Sequence, residues 1–192
     1  MNAATDLAPT VFLLAAMAFY QAYPGVAGVM VGLSVSAKLL PGLLMVVCCF
    51  PESARFHYVG GILLGLIPAI VFFLLAPSDF MHNIVWFVPA RPIDTTSWLF
   101  GAPSYLIITV RLGFVLFMGA VAFVVVWRPP DLFERCTLYV LCSIAALLAG
   151  PTTHNNYMLW WIPFFCVSLS GSLSKIIRVP KSPPLIVFTA RG

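Results

Sequence analysis

Long apolar runs separated by short polar stretches make up most of this chain. Charged residues are absent from 7–37 and from 137–174, and each run exceeds the roughly 20 residues that a helix needs to cross a membrane. Neither run shows the alternation of polar and apolar residues that is typical of membrane β-barrels. The pattern predicts an all-α, polytopic membrane bundle of about six helices, at 7–23, 26–50, 58–76, 105–127, 133–149 and 156–173.

Composition supports the membrane class. The 192 residues are 61% hydrophobic and 8% charged, whereas soluble domains carry about 25% charged residues. We expect one transmembrane helical domain at 1–174, followed by a basic cytoplasmic tail at 175–192. The longest connection, 77–103, contains an apolar and aromatic segment at 79–89, which predicts a short helix lying at the membrane interface.

Basic residues fall unequally on the two faces of this topology. Seven of the ten Lys and Arg residues lie on one face: Arg55, Arg128, Arg135, Lys175, Arg178, Lys181 and Arg191. The positive-inside rule makes that face cytoplasmic and puts both termini of a multi-pass protein inside. We expect the membrane to be a bacterial plasma membrane. Asp131 and Glu134 are interpreted as solvated partners of Arg128 and Arg135. The net charge of +4 indicates contact with lipid headgroups, not a nucleic-acid partner.

Small residues and cysteines add packing information. Gly28, Gly32 and Ser36 recur every four residues, and Gly61 and Gly65 repeat the spacing, which predicts close approach between helices. The five cysteines lack metal-ligand spacing and are interpreted as buried, inert thiols. With no nucleotide-binding loop or nucleophile elbow in the sequence, we predict no metal and no cofactor.

Lys38 is the most unusual residue of the apolar runs. It lies near the middle of the predicted second crossing, three residues before Pro41, which should kink or break the helix. A broken helix at membrane depth is tolerated only when it is buried in protein or lines a water-filled cavity. Two interpretations stay open: Lys38 snorkels or pairs with a freed carbonyl, or it binds an anion inside a cavity.

The predicted outer face carries the other unusual polar residues, each with a structural and a functional interpretation. Asp94 either caps a helix or acts in catalysis, and Arg91 either pairs with Asp94 or holds a phosphate. Arg111 either snorkels outward or points into the same cavity as Lys38. His154 is either structural or a ligand contact, and Trp160 belongs either to an aromatic belt or to a stacking surface.

Two local patterns resemble one enzyme family. Residues 28–41 form a small-residue helix that ends in Lys-x-x-Pro, and residues 150–163 join the polar turn Gly-Pro-Thr-Thr-His-Asn-Asn-Tyr to Leu-Trp-Trp-Ile-Pro. Together they resemble the polyprenyl-phosphate-sugar-dependent membrane glycosyltransferases of the C superfamily, nearest the family 87 mannosyl- and arabinosyltransferases. The first pattern is also similar to the GPI-anchor mannosyltransferases. The resemblance as a whole covers about a third of the chain.

The resemblance implies an enzyme that transfers a hexose from a polyprenyl-phosphate donor to a glycolipid or glycan acceptor on the exoplasmic face. Membrane lipids surround both partners. The donor phosphate would lie near Lys38, Arg91, Arg111 and His154, and Asp94 is the outer-loop carboxylate that could stand in as the catalytic residue. The substrate would be lined by Thr152, Thr153, Asn155, Asn156 and Trp160.

One departure from the family concerns the catalytic acid, which typically lies in the first exoplasmic loop. Here that predicted loop is Tyr23-Pro24-Gly25, without a carboxylate, and Asp6 falls on the predicted cytoplasmic side. The chain therefore looks like the C-terminal part of such an enzyme, or a truncated form. The alternative is a non-enzymatic polytopic protein, either a small transporter of an anionic solute or an inactive half-module.

Overall fold

The computed structural model describes residues 4–51, 53–82, 92–93, 95–150 and 158–176. Within these segments the structure is all-helical and no strand occurs, which confirms the all-α part of the predicted fold class. The helices are α1 (Ala4–Phe19), α2 (Pro24–Ala37), α3 (Leu39–Cys48), α4 (Arg55–Gly65), α5 (Ile67–Leu75), α6 (Pro77–Phe80), α7 (Ser104–Trp127), α8 (Leu132–Ala149) and α9 (Met158–Ile176).

Membrane-spanning length is reached by fewer helices than predicted. Among the described residues, α7 and α8 are long and apolar enough to cross a membrane, and α4 with α5 forms a third crossing if their 42° bend is counted within one span. Pro24–Ala37, Leu39–Cys48 and the stretches Leu7–Phe19 and Leu159–Ser172 are shorter apolar helices. The predicted interfacial helix at 79–89 and most of the tail at 175–192 lie outside the described residues.

The predicted second crossing consists of two helices with a break at Lys38. α2 ends at Ala37 and α3 begins at Leu39, with Lys38 extended between them (φ −157°, ψ 116°). Pro41 explains where the break falls, because in a continuous helix its ring would clash with the carbonyl of Ala37, four residues earlier. Within α3, Pro41 lies in the first turn. Proline is tolerated there because an N–H at that position has no acceptor within the helix.

The direction of α3 follows from contacts at the ends of α2 and α3. Near the end of α2, Ser34 Oγ donates to Pro9 O at 3.2 Å, early in α1. After the end of α3, Cys49 Sγ lies 3.4 Å from Met17 Sδ, late in α1. α3 therefore runs back beside α2, close enough that a Cβ on Gly42 would lie 2.5 Å from the α2 backbone. The prediction of a single second crossing is wrong.

The bundle has two ends with different residues. At the Lys38 end, Thr10 Oγ1 donates to Leu159 O at 3.2 Å, so the early part of α1 lies beside the start of α9. At the Arg135 end, the Arg135 guanidinium lies 4.8 Å above the Tyr20 ring, so the start of α8 lies beside the end of α1. The Lys38 end and the Arg135 end are thus the two opposite ends of the bundle.

The added pass through α3 reverses the orientation of α1 relative to the prediction. Thr137 of α8 and Ser168 of α9 hydrogen-bond through their hydroxyls, so α9 finishes at the Arg135 end. α1 begins at the opposite, Lys38 end, and the prediction that the chain begins and ends on the same face is wrong for these helix ends. Arg55, Arg128 and Lys175 still share the Arg135 end, as the charge pattern predicts.

Small residues bring α2 and α4 into backbone contact, as predicted. The interface contains Gly28, Gly32, Ser36, Gly61 and Gly65. A Cβ on Gly61 would lie 2.1 Å from Gly25 O, and Ser36 Oγ donates to Gly65 O at 3.0 Å. Because the contacts advance in the same direction along both helices, α2 and α4 run parallel, which is possible only because α3 intervenes.

Arg135 is buried, with 2% of its surface exposed. Its guanidinium donates to Cys48 O at 2.8 Å, to Phe50 O at 3.0 Å and to Pro130 O at 3.0 Å. The first two carbonyls lie at and just after the end of α3, where helical donors run out. Arg135 therefore closes the C-terminus of α3, and its interpretation as a solvated rim residue is wrong.

Asp131 and Glu134 have a defined role at the start of α8. Asp131 Oδ1 accepts from the Glu134 N–H at 2.8 Å, and Glu134 Oε2 accepts from the Asp131 N–H at 2.9 Å. This capping box satisfies two donors that the first turn of the helix leaves open.

The cysteine prediction is confirmed in four of five positions. Cys48, Cys49, Cys136 and Cys142 are buried, free thiols, whereas Cys166 is exposed. The buried thiols lie in the shared core of the bundle. Cys166 lies on the outer face of α9, and its interpretation as buried is wrong.

We expect Gly61→Ala to destabilise the bundle by about 1–3 kcal/mol, the range for overpacking a tight interface. The matched control is Gly60→Ala, because a Cβ at Gly60 has open space around it. The control should be neutral or stabilise the helix by up to about 1 kcal/mol. Thermal unfolding of both variants in detergent checks this, and equal melting temperatures would contradict the α2–α4 contact.

We expect Arg135→Leu to lower the free energy of unfolding by about 1–3 kcal/mol or more, since buried carbonyls lose their donor. Arg128→Leu, at an exposed position of the same end, should change it by less than about 0.5 kcal/mol. Chemical denaturation in detergent measures both. A similar loss in the two variants would show that charge at this end matters, and not the carbonyl contacts.

Candidate functional site

Lys38 lies inside the bundle at the point where α2 turns into α3. Its backbone N–H donates to Ser34 O at 2.8 Å and closes the last turn of α2. Its side chain is half-buried, and Nζ lies 4.7 Å from the centre of the Trp160 ring. That distance is within the range of a cation–π interaction. The helix break thus places an ammonium against an aromatic ring of α9.

The pairing of α8 with α9 sets the depth of this ammonium. The rings of Tyr139 and Phe164 are 4.5 Å apart, and the two helices are antiparallel. Trp160 is therefore level with Ser143, about 9 Å below the last residue of α8 at a rise of about 1.5 Å per residue. Lys38 is thus recessed within the bundle, at a chain reversal.

The first turn of α3 adds positive potential beside Lys38. The N–H groups that begin a helix lack partners within it, and the helix dipole gives this end a partial positive charge. No side-chain cap accepts from the first turn of α3, since a lysine ammonium has no acceptor. A cation and helix-end donors together suit an anion such as a phosphate group.

Pro163 creates the contact that joins α1 to α9. Because proline has no N–H, the carbonyl four residues earlier, that of Leu159, receives no helical hydrogen bond. Thr10, which is 2% exposed, donates to this carbonyl from Oγ1. The bond fixes the first turn of α9 and with it the neighbouring Trp160, which is also 2% exposed. Trp160 therefore supports Lys38 from a buried position.

Trp161 carries a buried indole N–H at the same level. Within the described part of the chain, Nε1 has no hydrogen-bond partner. A buried donor without an acceptor costs about 1–3 kcal/mol. The ring packs edge-to-face with Phe165 at 6.2 Å, so the donor is held in place one residue from Trp160.

The segment before α7 covers the Lys38 end of α8. Ser97 Oγ donates to Gly150 O at 3.2 Å, and Trp98 Nε1 donates to Leu148 O. Both carbonyls lie where α8 finishes and has no donors of its own. The described residues that follow Asp94 are therefore at the same end of the bundle as Lys38.

Most predicted site residues lie outside the described residues, and their contacts stay predictions: Arg91, Asp94, Thr152, Thr153, His154, Asn155 and Asn156. The described residues on either side of the late polar turn, Gly150 and Leu159, are both at the Lys38 end. Among the predicted site residues that are described, the structure brings Lys38 and Trp160 into contact.

Arg111 is the third described residue of the predicted site. It is half-buried on α7, about two turns after the helix begins at Ser104. α7 packs against α3 and α8, and its first half is the half nearer the Lys38 end. A cavity shared by Arg111 and Lys38 stays a prediction.

Asp6 is a candidate that the predicted topology excludes. That topology treats 26–50 as one crossing and so places Asp6 on the cytoplasmic side. With α1 reversed, the first turn of α1, which contains Asp6, lies at the Lys38 end. The signal in the sequence is helical spacing, because the buried positions of α1 recur every three or four residues: Pro9, Thr10, Leu13, Ala16 and Met17.

Comparison with known proteins adds no assignment. No family model, no curated protein and no solved structure matches the chain. Within the described residues, no group of three or more His, Cys, Asp or Glu side chains is placed to hold a metal ion. The function must therefore be inferred from the residues at the Lys38 end.

Proposed function

We propose that this chain is a membrane glycosyltransferase module that binds a polyprenyl-phosphate sugar. It supports transfer of the hexose, such as mannose, to a glycolipid or glycan acceptor on the exoplasmic face. The observation that carries the proposal is the recessed Lys38 ammonium, which lies at the start of α3 and against Trp160.

The donor is amphipathic, and the surface of the bundle suits both of its parts. Positive charge at the Lys38 end fits the phosphate. The polyprenyl tail needs apolar surface in contact with lipid. α7 offers such a surface, because only 6% of its apolar stretch is buried inside the bundle. Because Arg55, Arg128 and Arg135 share the opposite end, the positive-inside rule puts the Lys38 end on the exoplasmic side.

The proposed reaction is an inverting transfer. A carboxylate, for which Asp94 is our candidate, takes the proton of an acceptor hydroxyl, and that oxygen bonds to the anomeric carbon of the donor. The bond from this carbon to the phosphate oxygen breaks, and its electron pair leaves with the polyprenyl phosphate. Lys38 and the first N–H groups of α3 stabilise the charge that develops on the phosphate.

The remaining residues of the proposed site act on the two substrates. Arg91, Arg111 and His154 add donors near the phosphate, and Trp160 holds Lys38 in position. Hydroxyl and amide groups of the late turn are suited to the hydroxyls of a sugar: Thr152, Thr153, Asn155 and Asn156. A chain without a working carboxylate would bind the donor as a partial module.

A second candidate is a small transporter of an anionic solute. It is favoured by the broken α2–α3 element, since discontinuous helices whose ends point at a bound ion are typical of secondary transporters. Uptake of radiolabelled phosphate into proteoliposomes, lost on Lys38→Ala, would support the transporter. The transferase predicts no uptake.

We expect Lys38→Ala and Arg111→Ala each to weaken binding of a short-chain polyprenyl-phosphate mannose by about 10- to 100-fold, the loss of one charged hydrogen bond. Arg128→Ala and Arg178→Ala should leave the affinity unchanged, because both positions belong to the predicted cytoplasmic face. Direct binding to detergent-solubilised protein measures this. Equal losses in all four variants would contradict a specific phosphate site.

We expect membranes that contain this chain to transfer labelled mannose from polyprenyl-phosphate mannose to an endogenous acceptor. Labelled product should disappear with Lys38→Ala and with Asp94→Ala, while Arg128→Ala keeps it. If folded protein gives no labelled product with this donor or with other sugar donors, the chain is a donor-binding module or a non-enzymatic protein and not a complete transferase.

A further inference from the structure

Asp6 and Lys38 lie at the same level of two neighbouring helices. Ser34 of α2 donates to the Pro9 carbonyl of α1, and the two helices are antiparallel. From Pro9 to Asp6 the chain rises about 4.5 Å towards the Lys38 end, and from Ser34 to Lys38 it rises about 6 Å in the same direction. The backbones of the two residues therefore differ in height by about 1.5 Å.

Helical spacing also assigns Asp6 to the packed face of α1. It precedes the buried residues Pro9, Thr10 and Leu13 by three, four and seven positions, and residues at these spacings share one face of a helix. α1 packs against α2, α3 and α9. Lys38 belongs to the break between α2 and α3, and its partner Trp160 belongs to α9. Lys38 therefore lies where the three elements that pack against α1 meet.

The physical chemistry of a membrane bundle favours a pair at this level. A carboxylate or an ammonium that is removed from water is costly by itself, and an opposite charge nearby offsets part of that cost. Asp6 and Lys38 flank the run 7–37, which contains no charged residue. Among the described residues, the other charged or imidazole side chains that the chain path brings to this end are Asp79, His82 and Arg111.

We propose that Asp6 is the counter-ion of Lys38 and positions the ammonium at the α2–α3 break. The pairing does not depend on the proposed transferase activity. Its functional consequence does rest on that activity: a donor phosphate replaces the carboxylate as the partner of Lys38 when it binds.

A double-mutant cycle tests the pair. Asp6→Asn and Lys38→Met should each lower the melting temperature in detergent by about 4 °C or more. The melting temperature of the double variant should be no lower than that of the less stable single variant. Asp6→Glu keeps the charge, and its melting temperature should stay near that of the parent. The matched control is Asp79→Asn at an exposed position of α6, whose effect should add to that of Lys38→Met. Additive losses for Asp6→Asn and Lys38→Met would overturn the proposal.

Charge reversal keeps the test decisive if a single variant does not fold. Asp6→Lys combined with Lys38→Asp should recover folded protein, measured by size-exclusion chromatography. If the reversed pair yields no more folded protein than Asp6→Lys or Lys38→Asp alone, the pairing is overturned.

Binding of farnesyl phosphate separates this proposal from the proposed function. A positioning role predicts that Asp6→Asn loses less affinity than Lys38→Met, which should weaken binding by about 10- to 100-fold; inorganic phosphate in parallel shows whether the lipid contributes. Coupled stabilities without any lipid-phosphate binding would support the pair and contradict the transferase. Unchanged stability and binding with loss of sugar transfer in Asp6→Asn would make Asp6 a catalytic base and overturn its role as a counter-ion.

Discussion

The chain reversal between α2 and α3 is the constraint on which the rest of the bundle depends. Pro41 prevents a continuous helix through Ala37, so the chain must leave α2 at Lys38 and start again. The new helix returns beside α2 instead of continuing across the bundle, as the contacts of Ser34 and Cys49 show. Compared with a single crossing, α1 and α2 are therefore reversed relative to all later helices.

Two sets of contacts stabilise this arrangement: the glycine interface holds α2 against α4, and Arg135 holds the end of α3. The glycine interface lets α2 and α4 approach to backbone contact, with the two helices parallel. Arg135 supplies donors to the carbonyls that α3 leaves open at its short C-terminus. A helix of 10 residues has few intrahelical bonds and gains most of its stability from packing. The reversal is thus held at both ends by groups from other parts of the chain.

The same reversal produces the chemistry of the Lys38 end. A lysine on the outside of a helix could extend to the headgroups, whereas Lys38 is half-buried and lies over Trp160. The freed carbonyl of Leu159, bound by Thr10, keeps α9 in register with this pair. A recessed cation near a helix start is suited to a phosphate that arrives on a lipid, which joins the fold to the proposed donor.

The sequence by itself determined the all-α apolar character, the break near Lys38 and Pro41, the glycine faces and the unequal distribution of basic residues. It determined these because hydropathy, proline geometry and small-residue spacing are local properties of the chain. The tertiary structure decided the direction of α3, the orientation of α1, the burial of Arg135 and the contact of Lys38 with Trp160. Hydropathy is the same for one long crossing and for two short helices folded back on each other. Only contacts between distant residues, such as that of Cys49 with Met17, distinguish the two.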